Sequence, residues 1–395
     1  MKILYHHRIA SKDGQYVHVE EIINALENLG HEVIVVGPKV AEDSEFGSDG
    51  GWVSKIRKSL PTFCSELLEF SYSFYVFVKL LFVAIKVQPD AIYERYNLFL
   101  PSGIWVKKLL RLKLILEVNS PLYDERSQYG GITLKSLARW TEHYAWRNAD
   151  HVCPVTHVLA GYISAAGVPT DRITVIPNGI DPKKFYPSEQ NARDKKYQEK
   201  LIIGFVGFCR EWHQLDKLLN LIAESNNKEL MLLIVGDGPA AEPLIQQAKQ
   251  LGLEERFQVT GLIARNDMPH WLDQMDIALQ PAVTPWASPL KLIEYLAKGK
   301  AIVAPDTDNI RELLCDNRNA LLYDMDKPDE ILDCVKRILE NDQLRVQLQR
   351  EAIRTVEDKK LTWNNNAKRI VHIFSTLTCK EQFPLREQNN SRNEE

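Results

Sequence analysis

The sequence predicts an α/β protein with two doubly wound domains, each built on a parallel sheet. Three observations predict this class. Short, almost fully apolar runs alternate with amphipathic helical segments in the first half of the chain. The same alternation restarts at Leu201, and a polar stretch from Pro187 to Lys200 separates the two halves. Apolar runs of this kind are typical of strands buried on both faces, as parallel sheets require.

In the first half, the apolar runs predict a series of short strands, and Gly30 ends an amphipathic helix, His18–Leu29. The predicted strands are Ile3–Tyr5, Glu32–Val36, Ala91–Glu94, Leu114–Val118, His151–Val155 and Thr174–Ile176. Because the first strand follows Met1 directly and no apolar h-region comes after it, we do not expect a signal peptide.

The segment Phe70–Val87 is rich in Phe, Tyr, Val and Leu, but two serines and two lysines interrupt it. It therefore falls short of an uninterrupted membrane-spanning helix. We interpret it as a buried helix of the domain. The alternative is a helix that lies on a membrane surface.

The second half predicts a second alternating series. The strands are Leu201–Gly207, Leu230–Val235, Phe257–Thr260, Ile277–Gln280 and Ala301–Ala304. The helices are Leu215–Glu224, Ala240–Gln250, Asp267–Met275, a helix around Lys291, Pro328–Glu340, Gln343–Val356 and Trp363–Thr378. Two such domains joined by a linker predict two doubly wound sheets that face each other across a cleft. Ligands of such sheets bind beyond the carboxyl ends of the strands.

These elements predict an N-terminal domain over residues 1–186, a linker over 187–200 and a C-terminal domain over 201–360. A helix over 361–378 is expected to cross back to the N-terminal domain, and a polar tail covers 379–395. The chain has 395 residues and a net charge of −4, which does not favour a nucleic-acid partner. Its scattered cysteines form no CxxC pair, as expected of thiols in a reducing compartment, so we expect a cytoplasmic protein.

The most informative stretch runs from Ser288 to Pro305. It predicts a loop, a helix with a proline near its first turn, a glycine stop at Gly299 and a buried strand. The start of a helix offers unpaired N–H groups and the positive end of the helix dipole. Lys291 adds a cation there, which an anionic ligand such as a phosphate explains. Glu294 follows three positions later on the same face. The alternative is a surface helix with a Lys–Glu pair.

Together the motifs resemble those of glycosyltransferase family 4, which has the two-domain GT-B fold. The resemblance covers roughly residues 1 to 378. It is carried by Gly30-His31-Glu32-Val33, Val175-Ile176-Pro177-Asn178-Gly179-Ile180-Asp181, Phe205-Val206-Gly207, Val235-Gly236-Asp237-Gly238-Pro239 and the Ser288–Pro305 stretch. The family implies retaining transfer of a sugar from a nucleotide diphosphate, without a metal or other cofactor. Asp306-Thr307-Asp308 has the spacing of a metal-binding pair, but we interpret it as a loop.

The resemblance implies a donor site in the C-terminal domain. Lys291, Ser288 and the main chain of Leu290, in the loop with Pro289, are expected at the diphosphate, and Glu294 at the ribose. The family's first glutamate is replaced by Trp286, which either stacks on a sugar or belongs to the core. The other implied donor contacts are Gly14, Gly207, Arg210, His213 and the main chain of Leu262 and Ile263.

Several of these assignments have alternatives. Arg210 either binds phosphate or is a solvated surface charge, and His213 occupies a position where the family has a Lys–Gly element. The Gly14-Gln15 loop either approaches the substrates or is a plain turn before a helix. Arg210, Lys291 and Glu294 are the residues expected to carry catalysis.

On the acceptor side, the resemblance implies Gln15, Glu94 and Asn119. Asn119 stands where many family members have a histidine, and it cannot shuttle a proton. Glu94 either shapes the acceptor site or forms a buried ion pair with Arg95. The expected acceptor is a glycan or a lipid-linked sugar in surface or exopolysaccharide assembly, with contact to a membrane surface. The alternatives are a catalytically weak GT-B scaffold and a sugar-nucleotide 2-epimerase.

Overall fold

The computed structural model describes residues 1–10, 14–38, 61–187 and 193–382. The chain divides into two compact units. Unit 1 consists of Met1–Pro177 and Trp363–Glu395, and unit 2 of Asn178–Thr362. The chain therefore passes from one unit to the other at Pro177 and again at Thr362. The predicted polar tail lies outside the described residues from 383 onward.

Unit 1 is built on a parallel sheet with the strand order β2-β1-β3-β4-β5. The strands are β1 (Lys2–His6), β2 (Glu32–Val36), β3 (Ala91–Arg95), β4 (Lys113–Val118) and β5 (His151–Pro154). The helices are α1 (Gly14–Asn28), α2 (Thr62–Val87), α3 (Ser102–Leu110), α4 (Leu122–Glu125), α5 (Lys135–Asn148) and α6 (His157–Ala165). The last helix, Trp363–Gln382, packs on α1 within the same unit.

One predicted strand and one predicted loop of unit 1 differ from the structure. The predicted strand Thr174–Ile176 is not a regular strand, although the N–H groups of Thr174 and Ile176 donate to the carbonyls of Val152 and Pro154 beside β5. Helix α1 begins at Gly14, so Gly14 and Gln15 form its first turn rather than the predicted loop, and both residues are exposed.

Helix α2 differs most from its prediction as a buried helix. Its 26 residues bury one narrow face, on which Ser73, Val76, Leu80 and Ala84 repeat at helical spacing. The opposite face exposes a stripe of large apolar side chains. They are Leu68, Tyr75, Val78, Phe82 and Ile85. By length and composition α2 is apolar enough to cross a membrane, and only 28% of its most apolar window is buried.

Unit 2 is built on a second parallel sheet, with the order β11-β10-β9-β6-β7-β8. The strands are β6 (Leu201–Val206), β7 (Leu230–Val235), β8 (Phe257–Val259), β9 (Ile277–Leu279), β10 (Ala301–Pro305) and β11 (Leu321–Tyr323). The helices are α7 (Leu215–Glu224), α8 (Ala241–Gln250), α9 (Met268–Asp273), α10 (Leu290–Ala297), α11 (Asp308–Arg311), α12 (Glu330–Leu339) and α13 (Asp342–Asp358). Two apolar clusters cover the two faces of this sheet. The short strand β11 was not predicted.

The described part of the predicted linker packs on unit 2. Arg193 forms an ion pair with Asp276 at 2.7 Å, and Tyr197 is buried in the apolar core of this unit. The polar composition of this stretch indicated a spacer, but a single buried tyrosine fixes its end to the domain. Residues 188–192 of the predicted linker lie outside the described part of the chain.

Two loops at the carboxyl ends of β6 and β7 pack directly against each other. Gly236 has a φ of +140°, and a Cβ added there would lie 2.2 Å from the carbonyl oxygen of Gly207. Gly238 has a φ of +145°, and its Cβ would lie 2.2 Å from the carbonyl oxygen of Cys209. Only glycine combines these dihedral angles with so close an approach of two main chains.

We expect Gly236→Ala to lower the melting temperature of the protein strongly, because the new methyl group meets rigid main chain. We expect the free energy of unfolding to fall by about 3 kcal/mol. Gly252→Ala is the matched control, since Gly252 also has a positive φ of +65° but has nothing within 4 Å of the added Cβ. Its cost should be about 1 kcal/mol. Thermal unfolding of both variants measures the difference, and equal losses would contradict this account of the loops.

Candidate functional site

The carboxyl end of β6 brings several of the predicted donor residues together. Lys291, in the first turn of α10, donates to the carbonyl of Val206 at 3.0 Å. Its ammonium group also lies 4.6 Å from the centre of the Phe205 ring. A Cβ added to Gly207 would lie 3.6 Å from the Lys291 nitrogen. The main chain of Gly207 therefore lies directly beside a cation. This position is at the edge of the sheet where doubly wound folds bind ligands.

Helix α10 is fixed to this edge by a second side chain. The buried hydroxyl of Tyr295 accepts a hydrogen bond from the Val206 N–H at 3.0 Å. Burial lowers the pKa of Lys291 to about 8, although the neighbouring Glu294 opposes the shift. Lys291 is thus a partly buried ammonium group whose charge is lost just above neutral pH.

The loop after β6 contributes a second cation. Arg210 is exposed, and its guanidinium lies between two exposed aromatic rings, 4.9 Å from the centre of Phe208 and 4.8 Å from that of Trp212. These two contacts hold a planar, permanently charged group on the same loop as Gly207.

His213 is placed next to these cations but does not add to their charge. Its ring packs 4.9 Å from that of Phe205, and its Nδ1 accepts from the N–H of Arg210 at 3.1 Å. Burial, together with the charges of Lys291 and Arg210, lowers the pKa of His213 to about 4. It is therefore neutral at physiological pH and does not replace the lysine expected from the resemblance.

Glu294 is buried and faces a cation that the sequence analysis did not identify. The guanidinium of Arg265 lies 2.5 Å from the Glu294 carboxylate, and it also stacks 4.8 Å from the ring centre of Phe185. Arg265 follows the Leu262–Ile263 segment, where the donor base was expected. The side chain of Leu262 is exposed, whereas Ile263 packs on the core. The sequence around Arg265 gives no local signal of this pairing, because Glu294 lies far along the chain.

The loop before α10 is more buried than predicted. Ser288 is 8% exposed, and its hydroxyl oxygen accepts from the N–H of Asn178 at 3.3 Å. Pro289 directly precedes α10, and Leu290 is its first residue. Trp286 is 3% exposed, so its ring belongs to the interior of unit 2 rather than to a sugar-stacking surface.

Two of the predicted acceptor residues, Glu94 and Asn119, lie in unit 1 at the ends of neighbouring strands, but they have different partners. Glu94 is buried and pairs with His6 at 2.7 Å, not with Arg95 as the sequence suggested. Arg95 pairs instead with Glu117 at 2.7 Å. The amide of Asn119 donates to the same Glu117 carboxylate at 2.6 Å. Glu94 is therefore packed inside the unit, whereas Asn119 is half-buried.

Unit 2 thus brings together Gly207, Arg210, His213, Lys291 and Glu294, with Ser288 in the loop that leads into α10. Two cations and the N-terminal end of a helix surround the carboxyl end of β6. Such an arrangement suits an anionic ligand, because guanidinium and ammonium groups bind phosphate oxygens with charge-assisted hydrogen bonds.

Two family models match this chain. Residues 12–184 match the family model described as Glycosyltransferase Family 4, and residues 188–355 match the one described as Glycosyl transferases group 1. The chain is 21% identical over 378 residues to an uncharacterised glycosyltransferase of Methanocaldococcus jannaschii, covering 92% of this chain and 95% of the relative. It is 23% identical to the alpha-monoglucosyldiacylglycerol synthase of Streptococcus pneumoniae, covering 78% of this chain and 72% of that protein.

A solved structure shows the same fold. The Anabaena protein HepE in complex with UDP superposes with a TM-score of 0.72 at 16% identity, over 95% of this chain and all of that one. The predicted GT-B fold class is confirmed. The family matches also favour an enzyme that transfers sugar over the scaffold and epimerase alternatives.

We expect Arg265→Met to destabilise unit 2, because it leaves the Glu294 carboxylate buried without its cation. Because Arg265 is 31% exposed, we expect the free energy of unfolding to fall by about 2 kcal/mol, which is less than for a fully buried ion pair. Adding Glu294→Gln should restore most of the stability. Arg311→Met is the control, since it breaks an ion pair with Asp306 in which the arginine is 61% exposed. Thermal unfolding of the variants tests this, and an equal loss for Arg265→Met and Arg311→Met would argue against a buried pair.

Proposed function

We propose that this glycosyltransferase of the GT-B fold moves a sugar from a nucleotide-diphosphate donor that unit 2 binds. The proposed transfer proceeds with retention at the anomeric carbon. The observation that carries the proposal is the position of Lys291. It lies at the carboxyl end of β6, in the first turn of a helix, beside the main chain of Gly207 and one turn from Glu294.

We propose these roles in the donor site. Lys291, Arg210 and the Ser288 hydroxyl bind the diphosphate, with the main chain of Leu290 at the start of α10. Glu294 binds the ribose, and Arg265 holds its carboxylate in place. The main chain at Leu262 and Ile263 meets the base. The complex of HepE with UDP and the GDP-mannose-dependent alpha-mannosyltransferase of Mycobacterium tuberculosis, 25% identical to this chain, support a nucleotide donor without deciding the base.

The proposed chemistry follows from these charges. As the bond between the sugar and the diphosphate breaks, negative charge develops on the departing oxygen. Lys291 and Arg210 stabilise that charge in a partly buried site, where electrostatic interactions are strong. We propose that the reaction needs no metal or other cofactor. Asn119 and the neutral His213 are poorly suited to act as a base, so the donor phosphate itself accepts the proton of the acceptor hydroxyl.

The acceptor is proposed to be a glycan or a lipid-linked sugar, bound by unit 1 at the start of α1 and near Asn119. We place the protein in the cytoplasm, on the surface of the cytoplasmic membrane, in the assembly of surface or exported polysaccharide. The relative from Streptococcus pneumoniae is named as a synthase of a glucosylated diacylglycerol, which supports an acceptor at a lipid surface.

The exposed face of α2 supports the membrane contact. Leu68, Ser71, Tyr75, Val78, Phe82 and Ile85 follow one another at intervals of three or four residues, and all are exposed. Lys79 and Lys86 flank this stripe and are also exposed. A helix of this length reaches about 39 Å. An apolar stripe with lysines beside it fits a helix that lies in the interface of a membrane with anionic lipids.

We expect Lys291→Ala to abolish the thermal shift that UDP, GDP or ADP produces in the wild-type protein. Ligand binding to the folded state raises the melting temperature, and EDTA should not change that shift. Because the ammonium group is charged below its pKa of about 8, the affinity of the wild-type protein for the nucleotide should fall as the pH rises through 8. Calorimetric titrations between pH 7 and 9.5 measure this.

Lys291→Arg is the control for the pH effect, since arginine keeps its charge throughout this range. Its nucleotide affinity should be weaker than that of the wild type but nearly independent of pH. If Lys291→Ala binds each nucleotide as tightly as the wild type, the proposed diphosphate site is wrong. If no nucleotide shifts the folded wild-type protein, the proposed donor site is wrong as a whole.

We expect Val78→Glu to reduce binding to phosphatidylglycerol vesicles about tenfold, because it places a carboxylate in the apolar stripe. Val346→Glu is the matched control, since Val346 lies on a helix of unit 2 and is 58% exposed, against 63% for Val78. Vesicle flotation measures the bound fraction. The same bound fraction for both variants, or no flotation of the wild type, would rule out α2 as the membrane contact.

A further inference from the structure

The loop between β9 and α10 carries Ser288 and sets the position of Lys291, yet it has no regular secondary structure over 280–289. Its main-chain groups therefore lack the partners that a strand or a helix would supply. A loop buried in a domain needs such partners from elsewhere, because an unpaired buried carbonyl is costly. The structure supplies them as side chains from three distant parts of unit 2.

Asn178 holds the end of this loop that is next to α10. Its side-chain amide donates to the carbonyl of Ser288, and its main-chain N–H donates to the Ser288 hydroxyl oxygen. Asn178 is 7% exposed. Because the Ser288 oxygen already accepts a hydrogen bond, the hydroxyl proton remains to be donated elsewhere. In the proposed donor site, the Ser288 hydroxyl donates this proton to an anionic oxygen of the diphosphate.

Asn309 holds the middle of the loop. Its amide donates to two carbonyls, that of Ala287 at 2.8 Å and that of Thr284 at 3.1 Å. The residue is 1% exposed, and Thr307 donates to its amide oxygen at 2.8 Å, which fixes the orientation of the amide group. Tyr323, on β11, holds the start of the loop, where its hydroxyl donates to the carbonyl of Pro281.

From these contacts we infer that Asn178 and Asn309 are positioning residues of the donor site: they fix the loop that presents Ser288 and Lys291 to the diphosphate. The inference rests on the proposed function. Four loop carbonyls, those of Pro281, Thr284, Ala287 and Ser288, are engaged by buried donors, so these electronegative oxygens do not face an anionic ligand. The loop is held in this arrangement before the donor binds, which avoids an ordering cost on binding.

The chain contains a matched control for a purely structural role. Asn319 is also buried in unit 2, at 4% exposed, and its amide donates to the carbonyl of Leu313 and to the hydroxyl of Thr355. Neither of these hydrogen bonds involves the 280–289 loop or α10. Loss of its amide removes a comparable number of buried hydrogen bonds without acting on the donor site.

The test compares Asn178→Ala, Asn309→Ala and Asn319→Ala by calorimetric titration with UDP, GDP and ADP, at a temperature well below the melting temperature of every variant. All three should melt earlier than the wild type. Asn178→Ala and Asn309→Ala should bind the nucleoside diphosphate about tenfold more weakly, whereas Asn319→Ala should bind as the wild type does. The loss should be smaller for the corresponding monophosphate, because the loop acts on the diphosphate.

The outcomes separate this inference from the proposed function. If the wild type binds a nucleoside diphosphate and all three variants bind it equally well, the positioning role is overturned and the donor site stands. The same holds if Asn319→Ala loses as much affinity as the other two. If the wild type binds none of the nucleotides, the proposed function fails, and this inference fails with it. Should an alanine variant not fold, Tyr323→Phe removes one hydroxyl only and should weaken binding severalfold, and unchanged affinity there would count against the inference.

Discussion

Val206, the last residue of β6, gives both of its main-chain groups to side chains of one helix. Its N–H donates to the hydroxyl of Tyr295, and its carbonyl accepts from Lys291. These two bonds lie at adjacent turns of α10 and dock the helix on the edge of the sheet. The placement of Lys291 beside Gly207 depends on this docking, as does the position of Glu294 one turn further along the helix. The same lysine is therefore both a structural contact and the cation of the proposed site.

Unit 1 is organised around a buried carboxylate in a comparable way. Glu117 receives hydrogen bonds from Tyr93, Arg95 and Asn119, and His18 lies 2.9 Å from it. Burial alone would raise the pKa of Glu117, but His18 and Arg95 hold it well below the usual range, so the carboxylate stays charged. A fully engaged carboxylate fixes the side chains around it. Asn119 is thus held by Glu117 at the end of β4, where the acceptor is proposed to bind.

Residues whose chemistry is unusual for their position can be recognised in the sequence, whereas residues whose role depends on distant partners cannot. Lys291 stood out because a cation at the start of a helix is unfavourable without an anion. Arg265 and Asn309 carry no such local signal, because nothing in the neighbouring sequence distinguishes them from an ordinary surface arginine and an ordinary loop asparagine. An ion pair with the adjacent Arg95 was one of two alternatives for Glu94. Neighbouring residues on a strand point to opposite faces of the sheet, however, and His6 on the adjoining strand β1 is the residue that faces Glu94.

The fold class and most of the strands follow from the sequence alone, because the period of apolar residues is a local property of the chain. The glycine turn after β7 also follows from the sequence, because no other residue fits its dihedral angles and its close approach to the loop after β6. Only the tertiary structure decided which face of α2 is exposed, which cation faces Glu294 and what holds the loop before α10. Burial and pairing depend on residues far apart in the chain, such as Asn178 and Ser288, which folding alone brings together.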